Sequence, residues 1–183
     1  MKLNEKGKNG NYPLLWSCFN NNIEMVRLLV EYANKNDIIL ELNLKNEDGH
    51  YPLYWSCFKN NVEITKLLID YANNNNIILE FNEIIENGSY PIFDACCNNN
   101  VEIVELLTDN AIKNNIILKL NEKDKSGIYP LLKACSNNNT EIVKLIIDYA
   151  SKNNIILELN EKSNNKNYPL YWACYYNNIN KSI

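Results

Sequence analysis

Tyr12-Pro13-Leu14-Leu15-Trp16-Ser17-Cys18-Phe19, closed by Asn20-Asn21-Asn22, returns as Tyr51-Pro52-Leu53-Tyr54-Trp55-Ser56-Cys57-Phe58. The Tyr-Pro pair comes back at Tyr90-Pro91, Tyr129-Pro130 and Tyr168-Pro169. The starts 12, 51, 90, 129 and 168 are therefore 39 residues apart each time. A fixed period of this size is the signature of a repeat array, in which each unit packs only on its neighbours. Such a chain presents a surface rather than enclosing a site.

Within a unit the residues punctuate two helices. Proline fixes φ and lacks an N–H that a first helical turn leaves unpaired anyway, so Pro13, Pro52, Pro91, Pro130 and Pro169 mark helix starts. The first helix is expected to run about eight residues, with Leu14, Ser17 and Cys18 on one stripe. Two of those positions are small, which lets neighbouring helices approach closely. Asn21, Asn60, Asn99, Asn138 and Asn177 stand where a left-handed residue must end that helix. The asparagine after each, from Asn22 to Asn178, is placed to cap a second helix. Glu24, Glu63, Glu102 and Glu141 fall in its first turn, where the helix dipole favours negative charge. The second helix turns Ile23, Val26, Leu29 and Val30 inward and Glu24, Arg27 and Glu31 outward. Ile38-Ile39-Leu40 and its three copies then predict a short extended return to the next unit. Gly10, Gly49, Gly88 and Gly127, two residues before the Tyr-Pro pair, sit in turn dipeptides such as Asp48-Gly49. Each unit thus opens with a projecting hairpin-like loop. Asparagine makes up about a fifth of the chain, and its fixed phases read as punctuation rather than as low complexity.

Composition excludes several classes of work. A formal charge of -4, from 18 basic and 22 acidic residues in mixed order, leaves no basic stripe for nucleic acid and no footprint for an anionic membrane. Residues 1–6 lack the apolar core of a signal peptide, and no apolar run approaches the length of a membrane span. Five of the six cysteines, Cys18, Cys57, Cys96, Cys135 and Cys174, hold one phase of the repeat. Equivalent positions in a helical stack lie about 10 Å apart, whereas a disulfide needs Cα atoms within about 7 Å. With His50 the only histidine, a metal site lacks ligands. The in-phase cysteines read as small, buried, reduced thiols of an intracellular, cytoplasmic protein, with the nucleus also open to it. Cys97 is off-phase and is expected to be the exposed, oxidisable thiol.

Helix, loop, helix and projecting turn, with Pro near the start and small residues after it, resembles the ankyrin repeat, whose unit is about 33 residues with a T-P-L-H-x-A signature. Tyr12-Pro13-Leu14-Leu15-Trp16-Ser17-Cys18 matches that signature at Pro, at Leu and at the two small positions. Gly49 matches the hairpin glycine, Asn60 stands at the inter-helix Gly, and Val62-Glu63-Ile64-Thr65-Lys66-Leu67-Leu68-Ile69 resembles the second helix. The resemblance covers nearly the whole chain and implies an all-α solenoid of stacked helix-loop-helix repeats over residues 1–183, the last repeat incomplete. Three departures stand out. Tyr replaces the family Thr throughout, and Leu15, Tyr54, Phe93, Leu132 and Tyr171 replace its His, so aromatic and apolar packing must take over from the Thr–His hydrogen bonds. About six extra residues per unit, around residues 34–40, predict a second helix longer by a turn. Repeat five has Lys166 in place of Gly.

The resemblance implies a non-enzymatic protein-interaction scaffold binding through loop tips and first helices. The alternative is a targeting or adaptor segment, or a truncated fragment, of a larger enzyme or signalling protein. No nucleophile–base pair, metal-ligand cluster or phosphate-binding glycine loop is present, so no catalysis, metal or cofactor is expected. Carried onto this sequence, the protein-binding tips include Glu47, Asp48, His50 and Glu86. The helix positions are Trp16, Phe19, Trp55, Phe58, Lys59, Asp94, Lys133, Trp172, Tyr175 and Tyr176. The aromatics among them form a candidate patch for a protein or peptide, although the tryptophans would equally serve by stacking between repeats. His50 reads as a solvated turn residue. At the end of the array, Ile179–Ile183 is too short to cover Ile142, Ile146 and Ile147 of the preceding second helix. This predicts a piece of a longer array, or a chain whose ends associate, with fraying from about Tyr175.

Overall fold

Residues 2–179 are described in a computed structural model. Four helix pairs and one further helix follow a short 3-10 turn at Lys8–Gly10. The first helices are α1 (Pro13–Phe19), α3 (Pro52–Phe58), α5 (Pro91–Cys97) and α7 (Pro130–Ser136), and the second helices are α2 (Ile23–Lys35), α4 (Val62–Asn74), α6 (Val101–Lys113) and α8 (Thr140–Lys152). α9 (Pro169–Ile179) closes the series. First helices stack on first helices and second on second, which gives the expected all-α solenoid. Among the described residues there is no strand.

The punctuation works as chemistry predicts. Asn21, Asn60, Asn99 and Asn138 have φ between 54° and 58°, the left-handed region where asparagine is the best tolerated residue after glycine. The next asparagine caps the second helix through its side chain; Asn61 Oδ1, for example, accepts from Ile64 N at 2.8 Å. Each second helix is 13 residues long. Of the extra residues around 34–40 only Asn34 and Lys35 are helical, so most of the insertion lies in the turn and extended return and not in an added helical turn. Asn36, Asn75, Asn114 and Asn153 donate from their amides to the carbonyl four residues back, closing each second helix.

The repeat-defining tyrosine has a role that packing alone does not supply. Tyr12, Tyr51, Tyr90 and Tyr129 are all essentially buried, and each hydroxyl donates across the stack to a backbone carbonyl in the next unit's lead-in. Tyr90 reaches Glu122 O at 2.9 Å and Tyr51 reaches Glu83 O at 3.2 Å. Where a threonine would bond locally, the longer phenol ties one repeat to the next, at about 1 kcal/mol per bond.

Asparagine also builds ladders between repeats. Asn4, Asn43, Asn82 and Asn121 each use both halves of the amide on the following unit's extended return. Asn82 Nδ2 donates to Ile117 O at 2.7 Å, and its Oδ1 accepts from Lys119 N at 2.9 Å. Asn4 does the same with Ile39 and Glu41, Asn43 with Ile78 and Glu80, and Asn121 with Ile156 and Glu158. The pattern satisfies one N–H and one C=O per unit as a strand neighbour would. The return itself alternates: Ile39 is 52% exposed while Leu40 and Leu42 are buried.

At the far end one expectation is corrected. α9 runs unbroken through Asn177 and Asn178, whereas the same residue types break α1, α3, α5 and α7. The tail expected to fray from Tyr175 is helical to Ile179, and the rest of it, residues 180–183, lies outside the described residues. Ile142 and Ile146 are fully buried under their own repeat and the one before, and only Ile147, at 45%, is exposed.

Candidate interaction surface

Seven-residue first helices and projecting loops form one face of the stack. Each loop is closed by two backbone bonds, such as Gly88 N to Ile85 O at 2.9 Å and Ile85 N to Ser89 O at 3.0 Å. The tips also touch one another. A Cβ on Gly88 would lie 2.6 Å from Asp124 Cα of the next tip, and the φ of Gly88 is +89°, so glycine is required there twice over. Glu86 reaches toward Lys125 of the next tip at 3.9 Å.

On this face the aromatic residues of repeats one and two converge. Trp16 stacks on Phe19 with centroids 4.9 Å apart, and Phe19 meets Trp55 edge-on at 4.8 Å across the repeat boundary. Trp55 in turn packs against Phe58 at 5.5 Å and Tyr54 at 5.1 Å. The tryptophans do not stack on each other: the contact across the boundary is Phe19 against the Trp55 edge, and the cluster stays open to solvent, Trp16 being 51% exposed and Phe58 43%. The Lys59 ammonium lies 5.0 Å from the Phe19 ring centre and 5.6 Å from that of Trp55, a cation–π position at the patch edge.

His50 is not a solvated turn residue. Its ring stacks on Tyr54 at 5.2 Å with 12° between planes and tilts onto Trp55 at 4.6 Å. Burial lowers its pKa from the ordinary value, against a smaller opposite effect of the Asp48 carboxylate. Glu47, Asp48 and Glu86 are exposed on the tips.

Asp94 departs furthest from expectation. Placed by sequence among the exposed helix positions, it is only 5% exposed. Repeats one, two, four and five carry a long Trp or Lys at this phase, while the short aspartate stays beside Tyr54 and Ser89 below the rim. The Ser89 hydroxyl pairs with Oδ1, whereas Oδ2 is buried without a hydrogen-bond partner. Burial raises its carboxyl to about 7, the Ser89 bond opposing. Lys133 is half-buried.

In repeat five Trp172, Tyr175 and Tyr176 cluster, with Trp172 5.7 Å from Tyr175 and 6.0 Å from Tyr176. Tyr176 is partly structural, since its hydroxyl donates to Ser136 O at 2.8 Å. The thiols also reverse one expectation. Cys97 is half-buried and pushed up to about 12 by burial, while Cys174 is the exposed cysteine. No signal in the sequence marked Asp94 as buried, because its cover includes Tyr54 one repeat away; the His50 contacts with Tyr54 and Trp55 lie within its own repeat.

No described helix is long and apolar enough to cross a membrane. A family model described as ankyrin repeats matches the chain in three copies, over residues 1–77, 37–117 and 113–181. No curated protein matches it in sequence.

Proposed function

The chain belongs to the ankyrin-repeat family, and from that membership we propose that it is a non-enzymatic scaffold that lays one protein partner across its loop tips and first helices. Ankyrin repeats are generally protein-interaction modules and typically non-catalytic. We take residues 1–183 as a single array with units starting near 12, 51, 90, 129 and 168.

The observation that carries the reading is the half-exposed aromatic cluster of Trp16, Phe19, Trp55 and Phe58, rimmed by Lys59. Hot spots of binding are enriched in such residues, each worth about 2 kcal/mol or more at a well-packed centre. Glu47, Asp48 and Glu86 supply polar contacts from the tips, and Trp172 with Tyr175 extends the surface at the far end. Asp94 drops out of the contact set because it is buried. The test is affinity capture with the full chain and quantitative mass spectrometry. Trp16→Ala with Phe58→Ala should lose the specific partners, while Ile78→Ala, 63% exposed on the extended return, should keep them. Equal recovery by both variants would sink the aromatic-patch reading.

A further inference from the structure

We propose that the boundary between repeats two and three is a slot for one arginine side chain of the partner, with the Asp94 carboxylate as its floor and the His50 and Trp55 rings as its wall. The proposal rests on the reading of this face as the partner surface, and it names what the partner must carry.

The row of tips is open at that boundary and closed at the others. A Cβ on Gly10, Gly88 or Gly127 would lie 3.0, 2.6 or 3.1 Å from the backbone of the following tip, whereas one on Gly49 would meet nothing within 4 Å. Glu47 N donates to Asn9 O at 3.1 Å to join the first two tips, and Asn164 N donates to Ser126 O at 2.9 Å to join the last two. Among the described residues no hydrogen bond or ion pair joins residues 46–50 to residues 85–89. The third tip is also built differently. Asn46 and Asp124 close their own loops by accepting from the amides two and four residues on, at 2.7 to 3.1 Å. At that phase the third tip has Ile85, which has no side-chain acceptor, and Asn87 bonds Ser89 N instead.

Below the gap lies Asp94. Its Oδ1 accepts from the Ser89 hydroxyl of the third tip, and its Oδ2 is buried without a partner. Buried polar atoms in folded proteins are nearly always paired, and here the donor is left for another molecule to bring. The nearby cations are engaged elsewhere: Lys45 pairs with Glu83, Lys125 approaches Glu86 from the far side at 3.9 Å, and Lys59 lies over the Phe19 and Trp55 rings. Glu47, Asp48 and Glu86 stand exposed on the two tips, so the mouth of the gap is acidic.

Tyr54 links the carboxylate to the rings. Its phenol is pushed up by burial and then by the Asp94 charge, and its ring stacks at 5.2 Å on His50, which packs on Trp55 at 4.6 Å. Burial lowers the His50 pKa, so at neutral pH the imidazole is a neutral ring and not a competing cation. Arginine suits this combination better than lysine. Its planar guanidinium lies flat on an aromatic ring while its forked N–H groups meet a carboxylate, and it is more weakly hydrated than an ammonium. Asp94 is closed over in the free chain and offers nothing to a partner resting on the surface. A side chain entering between the two unjoined tips reaches it.

The test is an amide NMR titration of the full chain at pH 7.5, where the carboxyl, raised to about 7 by burial, is ionised. The probe is acetyl-arginine N-methylamide up to tens of millimolar, beside its lysine and citrulline counterparts. The arginine probe should shift the amides of Gly49, His50, Ser89 and Asp94 together and saturate. The lysine probe should bind more weakly and the uncharged citrulline probe not at all. Asp94→Asn, shown folded by circular dichroism, keeps the shape and should bind the arginine probe at least about tenfold more weakly, as loss of a charged hydrogen bond requires. Trp16→Ala should bind it as wild type does, so failure of this slot and failure of the aromatic-patch reading are read separately. Absence of shifts at these residues, equal binding by Asp94→Asn, or citrulline or lysine binding as tightly as arginine would each overturn the proposal.

Discussion

Asp94→Asn is the substitution whose effect follows most directly from the structure. The carboxyl sits at the junction of repeats two and three, with one oxygen on Ser89 and the other buried without a partner. Its value rises from 3.8 to about 7 because burial penalises the charge. The titratable groups facing it, Tyr51, Tyr54, Tyr90, Cys57, Cys96 and Cys97, are themselves pushed upward by burial and stay neutral through this range. Below pH 4 the folded and unfolded chains both hold the proton, and aspartate costs nothing. Between pH 4 and 7 the unfolded chain releases it while the folded chain keeps it, so stability falls by about 1.4 kcal/mol per pH unit, roughly 4 kcal/mol in all. Above pH 7 both are ionised and the loss is constant.

Asparagine keeps the shape without the charge, at a cost of about 1–3 kcal/mol for its imperfectly paired amide. Urea unfolding followed by circular dichroism at pH 5, 6, 7 and 8 should show the variant gaining on wild type by about 3 kcal/mol from pH 5 to 8. The variant should be the more stable protein at pH 8. Parallel curves, with one constant difference at every pH, would refute the reasoning, because the carboxyl would then be ionised in the fold from the start.

Three further outcomes are expected. Gly88→Ala places a Cβ 2.6 Å from Asp124 Cα at φ +89° and should cost about 3 kcal/mol or more; Gly49→Ala, at φ +80° with open space around it, should cost about 1 kcal/mol in the same thermal melt. Asn82→Ala removes both bonds to Ile117 and Lys119 and should lower stability by about 1–3 kcal/mol, with faster amide exchange at Lys119. Iodoacetamide at pH 8, read by peptide mass spectrometry, should alkylate Cys174 well before Cys97, whose thiol is held up to about 12; equal rates would contradict the assigned burial.

Much of the architecture is local chemistry and was therefore legible in the residues. Pro starts the first helices, Asn in the left-handed region ends them, the next Asn caps the second helix, and the in-phase small residues let the stack close. These effects act within a few residues and repeat with the period. The candidate surface was legible only as a set of phases: Trp16, Phe19, Trp55 and Phe58 were placed correctly on the helix. Whether a side chain at such a phase is open depends on its length relative to neighbours one repeat away. Hence Asp94 sinks where Trp16 protrudes.

The sequence by itself determined the period, the helix starts of the first four units and the family's fold, because each rests on backbone preferences of single residues. Only the tertiary structure decided what the tyrosine of each Tyr-Pro pair does, since its phenol reaches a carbonyl about thirty residues away. The same holds for the asparagine ladder and for α9, where Asn177-Asn178 stays helical although Asn99-Asn100 breaks the chain. A left-handed asparagine costs energy locally; in the first four units a packed second helix offsets it, and Asn21, Asn60 and Asn99 also accept from an amide in the adjoining repeat. A residue's preference states what a turn can be; the neighbouring repeat determines whether it is made.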